Sequence, residues 1–346
     1  MSTIKIRKTA NGILIKRASK AILLDPNGSK ALDHPLNAIL LSHSHSDHVR
    51  GINSVYKRGV PVCMSHETFR ILTTLGYRFH PEDLVLLKPG DTIDLNGIKV
   101  TAYNAGHILG SLMFEIDFGH IKVGYTGDFN FEDSLILRKA DIMDVDILLI
   151  DATYGHPAFS FPPREILYKV IREKLREIVD LGFIPSLHGY ALGKCQELTR
   201  LAHDFIGGII SVDSNVAVYN RIFEEETRLG LGNYTIGSVG DILVRDFKQY
   251  RRNLPPLIKK LIFTGWAITS RYKTLGFPLS SHSGFTKIID YILRVYPNHV
   301  ITMYNYDTFL ASFIQREIGL KATPLSDASI DIDHHNVILK KSHKSP

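Results

Sequence analysis

Short apolar runs closed by turn residues dominate the first 150 positions of this 346-residue chain. Ile13 to Lys16, Ala21 to Leu24 and Ala38 to Leu41 read as strands, as do Thr92 to Leu95 and Ile98 to Tyr103 around an Asn96-Gly97 hairpin turn. Leu112 to Asp117 and Ile121 to Thr126 predict a second hairpin across Phe118-Gly119. Asp146 to Ile150 is continuously apolar after its first residue, the pattern of a strand covered on both faces, and it ends in Asp151. Helical patches interrupt these strands after His48, over His66 to Leu75 and near Leu135. Neighbouring strands in hairpins with helices between them predict a sheet core flanked by helices.

The texture changes at Phe161-Pro162-Pro163. An amphipathic helix from Arg164 to Val179 leads to a Gly-Phe-Ile-Pro break, a helix after Gly193, a strand from Gly208 to Val212 and a basic helix from Arg245 to Arg252. Strands alternating with helices predict a small parallel α/β unit. After Pro255-Pro256 come a strand from Leu261 to Ile268, a short strand and a loop to Ser280-Ser281-His282, a helix from Phe285 to Tyr296 and a strand from Val300 to Tyr304. The tail HHNVILKKSHKSP is expected to fray.

Composition narrows the class. With 44% hydrophobic and 22% charged residues and no run near about 18 apolar positions, no membrane insertion is expected. The N-terminus lacks the apolar core of a secretory signal, and Cys63 and Cys195 form no C-x-x-C pair, so a cytoplasmic setting without a disulfide framework or cysteine-based zinc site is expected. The net charge of +6 suggests a polyanionic partner. Between Arg245 and Lys273 eight basic residues face the single acid Asp246, a stretch that reads either as a solvated face or as a phosphate-backbone footprint.

Where the strand Ala38 to Leu41 ends, the chain reads LSHSHSDHVRG. In extended backbone His43 and His45, at i and i+2, point to one side and can reach one metal ion. Asp47 and His48 enter the first turn of the next helix and face the same cavity from another angle. Core packing does not explain this quartet, because each buried polar group needs its own partner, whereas the spacing suits two adjacent metals. Further candidates sit at other strand ends: His107 in NAGHILGS, Asp128 in GYTGDFN and Asp25 in LLDPNG. Singly, each also reads as a turn or capping residue.

The combination H-x-H-x-D-H, a later His and a later T-G-D resembles the metallo-β-lactamase superfamily. The resemblance implies an αββα sandwich with a dinuclear site along one edge of its two sheets. It places His43, His45 and His107 on one zinc and Asp47 and His48 on a second, with Asp128 bridging and Asp25 orienting the ligands. Two metals about 3.5–4 Å apart activate a water and stabilise in-line displacement at phosphorus.

Later segments are similar to the β-CASP nucleases, in which a small parallel α/β domain is inserted into the sandwich. Asp151 in LLIDATYG matches the acid of motif A, His282 in PLSSHSGF the histidine of motif B, and GYALGKCQEL a helix-opening segment. The resemblance covers roughly residues 10 to 325 and implies a division into 1–157, 158–262 (inserted) and 263–346. It implies that His282, held by Asp151, helps to protonate the leaving oxygen. Gly193 and Lys194 read either as a phosphate seat at a helix N-terminus or as a plain helix start. Lys194, Lys273 and the basic stretch are the expected phosphate contacts, and Trp266 in FTGW is expected to pack.

The chain departs from the family at motif C, where VITMYNYD places Tyr304 instead of a histidine and His299 lies five residues earlier. The second zinc is therefore expected to bind weakly, with manganese or magnesium as alternatives. This departure, the aspartate at motif A and the FTGW and GK elements are closer in look to DNA-directed members, of the Artemis and crosslink-repair type and the exonucleases associated with DNA ligases. The expected function is a zinc-dependent DNA 5′–3′ exonuclease in repair or processing, with nucleic acid as partner and DNA favoured over RNA. The alternatives are an RNA-processing ribonuclease of the same family, a small ester or thioester hydrolase, and a scaffold with a dead site.

Overall fold

A computed structural model of the chain describes residues 3–28, 30, 35–237, 239–251, 253–269, 276–325, 328–333 and 336–341. These residues form three sheets. The first has eight strands in the order Asn336–Lys341, Ala328–Asp333, Ile4–Thr9, Gly12–Arg17, Lys20–Leu24, Ala38–Leu40, Val62–Met64 and Leu84–Leu86. The second has seven, in the order Ala322–Pro324, His299–Met303, Ile147–Asp151, Lys122–Tyr125, Leu112–Asp117, Lys99–Asn104 and Thr92–Asp94. Both sheets are mixed, antiparallel through their hairpins and parallel where the strands are joined by longer crossovers.

Side-chain alternation builds four layers from these two sheets. Ile15, Leu24 and Leu40 of the first sheet meet Val100, Phe114, Leu149 and Ile301 of the second in one shared core. The opposite face of the first sheet, through Leu23, Ile39 and Val62, covers Val49, Ile52 and Leu72 on the helices Ser46–Val49, Ile52–Val55 and His66–Thr74. Leu148, Ile150 and Val300 of the second sheet pack against Phe285, Ile288, Ile292 and Leu310, which lie on the helices Phe285–Val295 and Asp307–Phe313. The continuously apolar DILLI run is a strand because both of its faces are covered. The architecture is an αββα sandwich.

The third sheet has six strands, Tyr234–Ile236, Ile210–Val212, Ile242–Asp246, Ile184–Gly189, Ile258–Phe263 and Gly276–Phe277, all parallel. Its separate core joins Leu187, Val244 and Leu261 to Ile171 and Leu198 on the helices Arg164–Asp180 and Lys194–Phe205. The alternation of strands and helices read from the sequence beyond residue 161 is therefore observed. The strand Gly276–Phe277 carries this sheet past residue 262. No helix among the described residues is long and apolar enough to cross a membrane.

Several local expectations are corrected. The helix expected from Arg245 to Arg252 is not found over its described residues 245–251: Arg245 lies in the strand Ile242–Asp246, and Asp246 then accepts the Lys248 amide to start one 3-10 turn, Phe247–Gln249. The run of β-branched and apolar residues before Arg245 outweighs the charges that suggested an exposed helix. LIFTGWAI is a strand only to Phe263, and Gly265–Ile268 is a 3-10 turn. No helix forms near Leu135, where the Ser134 hydroxyl takes the Ile136 and Leu137 amides into a turn. In the tail, Asn336–Lys341 pairs with Ala328–Asp333, which pairs in turn with Ile4–Thr9.

Candidate metal centre

The candidate ligands all leave the ends of strands at one edge of the sandwich. His43 and His45 follow Ala38–Leu40, Asp128 follows Lys122–Tyr125, and Asp151 closes Ile147–Asp151. Gly127 allows the approach of Asp128: its φ is +51°, and a Cβ there would lie 2.7 Å from the Cβ of Ser42. His107 sits in the turn between Lys99–Asn104 and Leu112–Asp117.

These side chains converge on one carboxylate oxygen. Asp128 Oδ2 lies 3.4 Å from His48 Nε2, 3.6 Å from His43 Nε2 and His107 Nε2, and 3.7 Å from His282 Nε2. His45 Nδ1 is 3.1 Å from both His43 Nε2 and His107 Nε2. Four donors around an ion at about 2.0–2.1 Å are about 3.4 Å apart in a tetrahedron, so His43, His45, His107 and Asp128 fit a single zinc-sized ion. Both the spacing and the donor set suit the metal that the sequence implies.

The far nitrogen of each ring is already held. His107 Nδ1 donates to the Ser281 carbonyl at 2.9 Å, His45 Nε2 to the Leu192 carbonyl at 3.3 Å and His48 Nδ1 to Asp25 Oδ2 at 2.7 Å. Such partners fix the tautomer and aim the other nitrogen at the ion. Asp25, turned inward by a φ of +44°, accepts from the Ser42 amide, the Ser42 hydroxyl, His48 and the Tyr125 hydroxyl. Four donors fill the capacity of a carboxylate, so Asp25 orients His48 and does not itself ligate.

Charge follows from burial and neighbours. His43 and His107 are held well below the ordinary imidazole range, first by burial and then by the neighbouring rings of His48 and His282 respectively, and neutral imidazole is the form that binds metal. Burial also opposes charge on His282, but Asp128 and Asp151 outweigh it and lift its pKa to about 9. Asp151 accepts His282 Nδ1 at 2.8 Å through Oδ2 and the Thr153 amide through Oδ1. Asp128 and Asp25 likewise outweigh burial at His48 and raise it well above the ordinary range, so these two rings favour the charged form that His43 and His107 do not, and His282 Nε2 faces Asp128.

The second metal position is less complete. His48 Nε2 and Asp128 Oδ2 face it, while the Asp47 carboxylate is 70% exposed and reaches His48 Nε2 at 3.9 Å. Tyr304, in the left-handed region at φ +77°, holds its hydroxyl 3.2 Å from that of Tyr125. Burial, Asp128 and Asp25 push this phenol well above its ordinary range, so it is a neutral hydroxyl and a poor ligand. His299 does not substitute, because it lies at the opposite end of the strand and Nε2 pairs with the Thr323 hydroxyl at 2.9 Å. Histidine tolerates left-handed backbone better than most residues, so Tyr304→His is expected to increase the metal retained per chain after dialysis, read by inductively coupled plasma analysis. Unchanged stoichiometry would contradict a second site beside Tyr304.

The expected phosphate contacts fare differently. Lys194 borders the cleft, yet its ammonium is buried and paired with Glu197 Oε2, and the Gly193 amide donates to Gln196 Oε1 at 2.6 Å. Both groups are engaged inside the protein, as at an ordinary helix start. Arg245 is buried and donates to the Ser211 and Gly237 carbonyls, so it is not a phosphate contact. Lys273, with Arg252 and Arg271, lies outside the described residues. Trp266 packs against Tyr154 and Phe159, as expected. Arg164, which the sequence did not single out, donates to Glu197 and to the Ser280 carbonyl and so anchors the loop that carries His282.

A cleft of about 500 Å³ opens over the cluster, bordered by Asp47, His107 and Tyr304 of the sandwich and by Tyr190, Leu192 and Thr264 beside the third sheet.

Residues 16–170 match the family model described as a beta-lactamase superfamily domain. An RNase J-like protein of Methanocaldococcus jannaschii is 28% identical over 192 residues, 51% of this chain and 46% of that protein. Endoribonuclease YSH1 of Eremothecium gossypii is 29% identical over 49% of this chain and 26% of its own length. A probable DNA ligase of Opitutus terrae is 25% identical over 85% of this chain and 29% of its own length. The matched stretches span less than half of each of these relatives. Residues 16–170 are thus similar to a beta-lactamase superfamily domain, and the sandwich with its cluster at one edge and the third sheet accord with that likeness.

Proposed function

We propose that the chain is a metal-dependent nuclease that hydrolyses phosphodiester bonds in the cleft between the sandwich and the third-sheet unit, the latter being the inserted domain. The observation that carries this reading is the convergence of four imidazoles on Asp128 Oδ2, with one of them, His282, held by Asp151 through its other nitrogen. His43, His45, His107 and Asp128 would hold one zinc, and His48, Asp47 and Asp128 a second. Metals so placed supply charge stabilisation at the phosphoryl oxygens and a nucleophile near neutral pH. His282 Nε2 carries the proton that the leaving oxygen needs, and Asp151 keeps it there and sets the ring's orientation. Ser281, through its carbonyl, ties the position of this acid to that of His107.

The finer reading is a DNA exonuclease of 5′ to 3′ polarity. The extent of the match to the probable DNA ligase, 85% of the chain, favours DNA as the nucleic acid, and the names of the RNase J-like and YSH1 relatives favour RNA instead. The deciding experiment incubates the protein with 5′- and 3′-labelled single- and double-stranded DNA and RNA in zinc, manganese or magnesium. Mononucleotides from one labelled end of DNA support the finer reading, and internal cuts or RNA-only cleavage replace it. If no nucleic acid is cut while nitrocefin-type or thioester substrates are, the nuclease reading fails.

A further inference from the structure

Alternate residues of the strand Ile4–Thr9 face opposite ways. Ile4 and Ile6 enter the core that the two sheets of the sandwich share, and Lys8 continues their row. Its register partner Ile13 belongs to that core too, and Ile13 pairs in turn with Leu24. Lys8 thus stands at an inward-facing position where the alternation calls for another apolar residue. It is exposed and borders the cleft, together with Ile13, Leu24 and Leu325.

The edge of the sheet that Lys8 approaches is the one that delivers the candidate ligands. Ile4–Thr9 and Lys20–Leu24 are both antiparallel to Gly12–Arg17, and Ala38–Leu40 is parallel to Lys20–Leu24, so these three strands end at the same edge. Asp25, which holds His48, directly follows Leu24. Two strand spacings of about 4.8 Å separate Lys8 from Leu24 along the row, and a lysine head moves on a flexible four-carbon stem. Lys8 therefore lies on the Asp25 and His48 side of the cluster, whereas His282 lies beside His107, with ring centroids 4.5 Å apart.

Charge singles this residue out. Among the described residues, Lys8 and Lys194 are the lysines or arginines that border the cleft. Glu197 neutralises Lys194, but no described carboxylate forms an ion pair with Lys8. Arg7, the next residue along, is exposed on the opposite face and does not border the cleft. A cation set in an apolar row at a cleft mouth, with no counterion from the described protein, suits an anion brought by the substrate.

We propose that Lys8 binds a backbone phosphate of the nucleic-acid strand, flanking the phosphodiester held at the metal cluster. The proposal rests on the nuclease reading and deepens it by giving the strand a direction: past the cluster and across the mouth of the first sheet. A lysine on a phosphate reads charge and not base, so the contact serves DNA and RNA alike.

The test is fluorescence anisotropy on the zinc-loaded protein with labelled single-stranded phosphorothioate oligothymidylate and oligouridylate, which keep the backbone charge and slow cleavage. Lys8→Gln should raise Kd about fivefold at 0.1 M salt and lower the slope of log K against log salt by about 0.7, the share of one single-strand phosphate. Lys8→Arg should bind as the wild type does, and so should Arg7→Gln, which removes the same charge from the other face. A neutral methylphosphonate scanned along the strand should weaken the wild type at one position and leave Lys8→Gln unaffected there. Kd of Lys8→Gln within about twofold of wild type, an equal loss in Arg7→Gln, identical methylphosphonate losses in wild type and Lys8→Gln, or no measurable binding by the wild type would each overturn the contact. Wild-type protein that binds these strands but cuts no unmodified DNA or RNA overturns the nuclease reading alone, since anisotropy still reads the contact.

Discussion

Asp128→Ala should lower phosphodiester hydrolysis at least about a thousandfold, the scale of losing a charge-stabilising group at the reacting centre, while the protein stays folded. One carboxylate oxygen serves four imidazoles, of His43, His48, His107 and His282, at 3.4–3.7 Å. Its removal takes a ligand from both proposed metals and takes from His282 one of the two carboxylates that keep it charged. Folding should survive, because the hydrophobic cores do not include this position and the imidazoles that its carboxylate meets all belong to the site. Cleavage rate, bound metal and a thermal melt on the same preparation separate these effects. Robust cleavage by the purified variant would remove Asp128, and with it the whole cluster, as the reaction centre.

Glu197→Leu is expected to cost about 3–5 kcal/mol in folding free energy, the usual consequence of leaving buried charge without its counterion. Arg164, Lys194 and Glu197 are 6%, 3% and 3% exposed, and the single carboxylate serves both cations. Burial works against its charge, but Arg164 and Lys194 hold its pKa down to about 2 from an ordinary 4.5. A depressed carboxylate stabilises the fold fully above the unfolded value and loses that contribution as pH falls from about 4.5 towards 2. Denaturant unfolding of both proteins at neutral pH should show the loss, and the gap should shrink in acid. Lys194→Met should be milder, because burial draws this lysine down to about 8 and Arg164 adds to the effect, leaving Arg164 the stronger partner of Glu197. Equal stability of wild type and Glu197→Leu would show that the triad contributes no net stabilisation. Since Arg164 also holds the Ser280 carbonyl, Glu197→Leu should loosen the loop bearing His282 and lower activity further.

What could be read beforehand follows a physical pattern. Histidines and an aspartate at the end of an apolar run point to a metal because no core tolerates them otherwise, and the structure gathers His43, His45, His48, His107 and Asp128 as that reading requires. Hairpins such as Leu112–Asp117 with Lys122–Tyr125 are local, and their turn residues disclose them. Three-residue strands such as Val62–Met64 have too little pattern to be seen and exist because neighbours pair with them. Arg245 misled because charge in a sequence says nothing of depth: its guanidinium is consumed by backbone carbonyls in the interior. The stacking of Tyr190 on Phe247, with ring centroids 5.7 Å apart, was invisible for another reason. Tyr190 and Phe247 are far apart in the chain, and only the pairing of Gly189 with Asp246 brings their rings together.

The first sheet has a consequence for how the protein comes to be made. Ile4–Thr9 lies between Gly12–Arg17 and Ala328–Asp333, with Ile4 opposite Ile332. During synthesis that strand therefore presents one unpaired edge until residues 328–333 have left the ribosome, and closing so long a loop is slow. The sandwich is sealed late, after the third sheet, whose strands all lie between residues 184 and 277, has had everything it needs to form.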